Sequence, residues 1–256
     1  MTELVFHKIK ITDGVACISF NRPKHNVLNI DMMNEFNDQL EDLVADSELK
    51  CLVIESEGPS WCAGVEVGDH KPEMVDQMIS TFNRIFELLD QLEVPSIASV
   101  QGACLGGGLE VAIACDMIVA AENAVFGQPE IKLGFFPPYA AIRLPQLVGP
   151  SKAIEICTSG KRYSAREALQ MGMINYCVEN ERLSEVTTQL VSEIRYSSPL
   201  IIRLNKKAVK QHLGMPFPQA LELVSDLFLN TLMHTEDVLE GIASFEEKRK
   251  PVWKNK

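Results

Sequence analysis

The stretch Val100-Gln101-Gly102-Ala103-Cys104-Leu105-Gly106-Gly107-Gly108-Leu109-Glu110 decides the fold. It follows a short apolar run, residues 96–100, that reads as a buried strand. It opens an apolar segment that reads as a helix from about Gly107 to Cys115. Glycines between a strand and a helix leave free backbone N–H groups that can point at an anion. Two nucleotide-binding patterns fail here. A P-loop needs Lys and then Ser or Thr after its last glycine, and Leu109-Glu110 stands there instead. The dinucleotide fingerprint needs G-x-G-x-x-G with a later acid, and the glycine spacing differs. Close helix–strand packing also selects glycine. Three in a row exceed that need, because each weakens a helix by about 1 kcal/mol. The cluster therefore reads as a binding element.

Outward from this junction, strands alternate with helices. Residues 4–10 and 14–20 read as two strands joined by the turn Thr12-Asp13-Gly14. Asn29 or Asp31 caps a helix through about residue 45, with Met32, Phe36 and Leu40 on one face. Residues 51–55 form a buried strand, broken by Gly58-Pro59-Ser60. An amphipathic helix spans 73–92, with Ile79, Phe82, Phe86 and Leu89 as its core stripe. Strands follow near 116–120 and 124–127. From Pro145 onward the pattern is mostly helical: 151–159, 164–170, 184–195, 199–212, 217–233 and 236–247, with one strand near 174–178. This is an α/β chain with a parallel-rich sheet covered on both faces and a helical C-terminal region. No Gly/Ser linker and no internal repeat is visible, so the two parts are expected to dock tightly.

Composition narrows the class. The chain has 256 residues, 46% of them hydrophobic, enough for one large core with a helical annex. A net charge of −11 disfavours binding to polyphosphate backbones, so no nucleic-acid partner is expected. The basic cluster Lys248-Arg249-Lys250 suits either one phosphorylated ligand or the C-terminal end of a helix. Seven scattered cysteines without a C-x-x-C pair read as small apolar residues in a reduced, cytoplasmic protein. No metal site, secretory signal or membrane span is expected.

Two further stretches carry candidate chemistry. Trp61-Cys62-Ala63-Gly64-Val65-Glu66 lies just past a strand, and its small residues let backbone approach a ligand. Phe126-Gly127-Gln128-Pro129-Glu130 places an acid in an apolar setting. Either alone reads as an ordinary turn. Taken together and in order, C-A-G-V, G-G-G-L-E and F-G-Q-P-E resemble the crotonase superfamily, the enoyl-CoA hydratase/isomerase family. Asn21-Arg22-Pro23, Leu144-Pro145 and Phe245-Glu246-Glu247-Lys248-Arg249-Lys250 extend the resemblance from about residue 5 to the end.

The resemblance implies a spiral of ββα units, with 1–195 as the core and 196–256 as a C-terminal helical trimerisation region, assembled as a homotrimer or hexamer. It implies that the N–H groups of Val65 and Gly107 bind a thioester oxygen. Glu110 and Glu130, 130 − 110 = 20 residues apart, map to the two glutamates of the family's hydratases. It places Lys24, Val27, Ala63 and Val65 along coenzyme A, Lys248 at a phosphate, and Gly106, Gly107, Pro129 and Pro138 among the substrate contacts. It implies no metal and no cofactor, coenzyme A being part of the substrate. The expected reaction is addition of water to an α,β-unsaturated acyl-CoA. A polarised thioester carbonyl makes Cβ electrophilic. One carboxyl then takes a proton from water while the other supplies one at Cα. Glu110 is assigned to the water and Glu130 to Cα.

One segment departs from the family pattern. Where a glycine-rich I-P-G-A-G-G is usual, this chain has Phe135-Phe136-Pro137-Pro138-Tyr139-Ala140-Ala141-Ile142. Pro138 lacks an N–H. The segment resembles that of cyclic dienoyl-CoA hydratases of anaerobic aromatic degradation and suits a rigid, cyclic acyl group. A double-bond isomerase and a non-catalytic CoA-binding relative are the competing expectations.

Overall fold

The computed structural model describes residues 5–256. Strands β1 (His7–Thr12) and β2 (Val15–Phe20) form the antiparallel hairpin, its turn carried by Asp13 and Gly14 with positive φ. The first strand begins later than the apolar pattern suggested, and residue 4 lies outside the described residues. Helix α1 (Ile30–Ala45) is capped by Asn29, whose side chain accepts from the Met32 N–H. Then come β3 (Cys51–Ser56), α2 (Val75–Gln91), β4 (Ser96–Val100), β5 (Ala103–Leu105), α3 (Gly107–Ala114), β6 (Met117–Ala121) and β7 (Val125–Gly127). The remainder is α4 (Pro138–Val148), α5 (Pro150–Ser159), β8 (Arg162–Ser164), α6 (Ala165–Gln170), β9 (Tyr176–Val178), α7 (Leu183–Arg195), α8 (Pro199–Lys210), α9 (Phe217–Asp226) and α10 (Glu236–Glu246).

The main sheet has the order β1-β2-β3-β4-β6-β9 and is parallel from β2 onward. A second layer runs beside it. There β5 pairs with β7 in parallel and β7 with β8 in antiparallel, and isolated bridges join Leu28 to Val65 and Cys62 to Cys104. Each pass of the chain thus adds one strand to the main sheet, one short rung to the second layer, and then a helix. The passes are β2, Leu28 and α1; β3, the Cys62 segment and α2; β4, β5 and α3; then β6, β7 and α4. This is the ββα spiral. Its repeat is invisible in sequence because a rung needs only one or two paired residues.

Alternation sorts side chains to the two faces. Leu52, Ile54, Ala98 and Val100 join the large core shared with α1, α2 and α3. Cys51, Val53, Ile97 and Val119 face the other way, against Leu183 and Val191 of α7. Both faces of the sheet are covered.

Two local readings are corrected, where the helical part begins and how far the 217–233 helix runs. The segment after residue 135 is helix α4, whose Pro138 sits at the first helical position, where a missing N–H costs nothing. Pro145 lies inside that helix and not ahead of it. The segment 217–233 is not one α-helix. It ends at Asp226 and continues as a π turn, Leu227–Thr231, and a 3-10 turn, Leu232–His234.

Helix α8 is tied to the core through Lys206. Its ammonium donates to Asp116 Oδ2 at 2.6 Å and to the Val94 carbonyl at 2.8 Å, and burial lowers its pKa. Asp116 also accepts from the Ser96 N–H and hydroxyl. Removing one partner of such a pair strands the other. Lys206→Met is expected to cost about 2–3 kcal/mol in urea unfolding. Lys210→Ala, which breaks the exposed pair with Asp90, is expected to cost under about 0.5 kcal/mol. Equal losses would remove the anchoring role.

Candidate active site

The site is built where α3 begins against the rung of the preceding pass. Gly106 adopts φ +56°, which opens the turn from β5 into α3. A Cβ on Gly108 would lie 2.3 Å from the Cys62 carbonyl oxygen, and one on Gly107 would lie 2.5 Å from Val65 Cγ2. Only backbone without side chains lets these two segments touch. Contact brings the Val65 and Gly107 amides to the same wall. Among the described residues neither N–H has a protein acceptor. The Gly107 amide is free because it belongs to the first turn of a helix.

These amides border a cavity of about 560 Å³, a size typical of small-molecule sites. Ala63, Val65, Gly106, Gly107, Glu110, Pro129, Glu130 and Pro138 all line it. Met78, Ile79 and Phe82 of α2, with Phe135, Phe136 and Pro137, supply its apolar part. The structure does not bring Lys24, Val27 or Lys248 into this lining. Val27 precedes the Leu28 rung, where its carbonyl accepts from Arg22. Lys248 lies just beyond α10 with positive φ.

Glu110 is 2% exposed. Its Oε1 accepts from the Ala140 N–H at 2.8 Å, in the first turn of α4, with the Tyr139 amide beside it. A helix N-terminus favours the ionised form. Burial outweighs this and, with the nearby Glu130, pushes the Glu110 carboxyl up to about 7. Burial likewise raises Glu130 to about 7. Two acids raised into the same range in one cavity share protons more readily than they ionise together.

Several contributors escaped sequence reasoning. Gln128 is fully buried. With its amide nitrogen turned toward the acceptors, it donates to both Glu130 oxygens at 3.0 Å and to the Gly106 carbonyl at 3.2 Å. Its place inside F-G-Q-P-E, two residues before the acid, was the available signal. Phe82 reads only as core, yet it lines the cavity. It meets Phe86 edge-on, and Phe86 stacks on Tyr139 at 3.9 Å. That ladder fixes the start of α4, and with it the amide that holds Glu110. His70, in the 3-10 turn Val67–His70, also lines the cavity and follows no motif. Among the described residues no cluster of three or more His, Cys, Asp or Glu is placed to hold a metal ion. No described helix is long and apolar enough to cross a membrane.

Comparison with known proteins agrees with this architecture. The sequence profile described as enoyl-CoA hydratase/isomerase matches residues 10–256. The chain belongs to the enoyl-CoA hydratase/isomerase family. It is 34% identical over 243 residues to the short-chain-enoyl-CoA hydratase of Clostridium acetobutylicum, covering 92% of each chain. It is 32% identical over 238 residues to the cyclohexa-1,5-dienecarbonyl-CoA hydratase of Thauera aromatica, covering 92% of this chain and 91% of that one. The crystal structure of an enoyl-CoA hydratase from Bacillus anthracis superposes with a TM-score of 0.90 at 28% identity, covering 98% of this chain and all of that one.

Glutamates raised from 4.5 to about 7 make stability fall with pH. Between those values the folded chain holds protons that the unfolded chain has released. The full benefit therefore exists below about pH 4.5 and is lost as pH rises through about 7. For Glu110 the difference amounts to about 3 kcal/mol. Glu110→Gln keeps an acceptor for the Ala140 N–H and removes the charge. The variant is expected to unfold at higher denaturant than the parent at pH 8, with the gap closing toward pH 5. A gap independent of pH would contradict the assignment.

Proposed function

We propose that the chain adds water across the double bond of an α,β-unsaturated acyl-CoA. The observation that carries this reading is a buried and a half-buried carboxyl, both near pKa 7, in one cavity with two amides that lack a protein acceptor. Relatives named as hydratases support the same class.

The thioester oxygen takes hydrogen bonds from the Val65 and Gly107 N–H groups. Negative charge grows on that oxygen as water attacks Cβ, so these bonds strengthen toward the transition state. Glu110, held by the Ala140 amide, is the ionised partner and accepts the proton from water. Glu130 carries the shared proton and gives it to Cα. The Gln128 amide then holds the new Glu130 carboxylate. Water is consumed, one C–O and one C–H bond form, and the proton count returns once the glutamates exchange a proton. No cofactor beyond the coenzyme A of the substrate takes part. We assign Ala63, which lines the cavity, to the path of that carrier, with Lys24 and Val27 farther out along it and Lys248 at a phosphate, these three outside the cavity lining. The acyl group we favour is cyclic, on the strength of the residues 135–138 and the Thauera relative. We further propose that residues 196–256 form the interface of a trimer or hexamer, since Phe217, Leu221, Phe228 and Phe245 are exposed there.

Water addition to crotonyl-CoA and to a cyclohexadienoyl-CoA, with double-bond isomers tracked in parallel, tests the reaction. Glu110→Gln and Glu130→Gln are each expected to lower kcat about 10²–10⁴-fold with a much smaller change in KM. Isomerisation without a hydrated product would replace the reading by an isomerase. Binding without any turnover would leave a CoA-binding protein.

A further inference from the structure

Apart from the two glutamates, most of the side chains that line the cavity are apolar. His70 lies in its wall, with its ring 5.0 Å from that of Phe135 and tilted by 35°. Lys132, the other basic residue of the lining, is exposed. The proposed reaction uses neither.

Three contacts hold the turn that carries His70. Its Nδ1 lies 3.0 Å from the Glu66 carbonyl oxygen. Asp69 Oδ2 accepts from the Ile30 N–H at 3.0 Å, at the start of α1. The Glu66 N–H donates to the Leu28 carbonyl at 2.7 Å. The imidazole therefore stands on the same braced segment as the Val65 amide, five residues away.

Its chemistry follows from the first contact. A carbonyl oxygen only accepts, so the Nδ1 of His70 carries the proton. In the neutral ring Nε2 is then left as an acceptor, and among the described residues it has no protein partner. A hydrocarbon chain packed against it would strip its water and return nothing. A ligand group with an O–H would replace that water. We propose that His70 is a specificity residue that accepts a hydrogen bond from a hydroxyl on the acyl group, beyond the α,β double bond. This deepens the acyl-CoA reading and rests on it. The substrate class is then a hydroxylated enoyl-CoA. The reaction that supplies it must leave an oxygen on the acyl chain or ring before this step.

Calorimetric titration of the full chain with hexanoyl-CoA and with its 4-, 5- and 6-hydroxy derivatives tests this. At least one hydroxylated ligand is expected to bind about 10-fold tighter than hexanoyl-CoA, equivalent to about 1.4 kcal/mol. His70→Leu is expected to bring that ratio within about twofold of unity. His70→Gln, which keeps an acceptor, is expected to retain part of it. A native chain with no preference overturns the proposal, as does a preference unchanged in His70→Leu. Hexanoyl-CoA binding without selectivity removes only the role of His70. No binding of any acyl-CoA removes the acyl-CoA reading along with it.

Discussion

The contact between the glycine start of α3 and the Cys62 to Val65 rung is the constraint on which the site depends. A side chain at Gly107 or Gly108 would meet Val65 Cγ2 at 2.5 Å or the Cys62 carbonyl oxygen at 2.3 Å. Removing those side chains costs helix propensity, about 1 kcal/mol per glycine. Packing of Leu109, Val111, Ala112 and Ile113 into the core offsets that cost. Two amides from consecutive passes of the spiral then lie on one wall. Neither pass alone could present both, because one amide comes from a rung and the other from a helix end.

That wall would be inert without acids, and acids are expensive to bury. The structure holds Glu110 with the Ala140 amide, and Glu130 with the Gln128 amide. These bonds soften the cost of burial without abolishing it, since both groups stay near pKa 7. A carboxyl of that affinity is useful for proton transfer at neutral pH and poor for stability. The stacked Phe86 and Tyr139 rings give the start of α4 the rigidity that such a charge requires. Tyr139 thus acts as a structural brace at the start of α4.

Much of this was legible in the sequence, for reasons that differ by element. Strands β3, β4 and β6 are dense apolar runs, as buried parallel strands must be. Helix α1 announces itself by Asn29 and a clear apolar stripe. The two glutamates and the glycines fall inside contiguous motifs. What was hidden depends on contacts between distant segments. Strand β5 and the Leu28 and Cys62 rungs are too short to carry a period. Helix α4 was masked by its own prolines, although Pro138 is well placed at a helix start. Gln128 and His70 each became visible only when folding set them against Glu130 and Phe135.

The placement of those late-appearing residues separates chemistry from selection. Glu110, Glu130 and their amide partners come from α3, α4 and the segment after β7. The apolar wall comes from α2, residues 135–138 and the Val67–His70 turn. The Val65 amide belongs to both, because it begins the turn that ends in His70. Packing against α1 through Asp69 keeps that turn in register with the amide. Side chains of the wall outside the Phe82–Phe86–Tyr139 ladder can therefore change without disturbing proton transfer, provided the turn keeps its three anchors. A substitution that freed Asp69 would instead move the amide and the wall together.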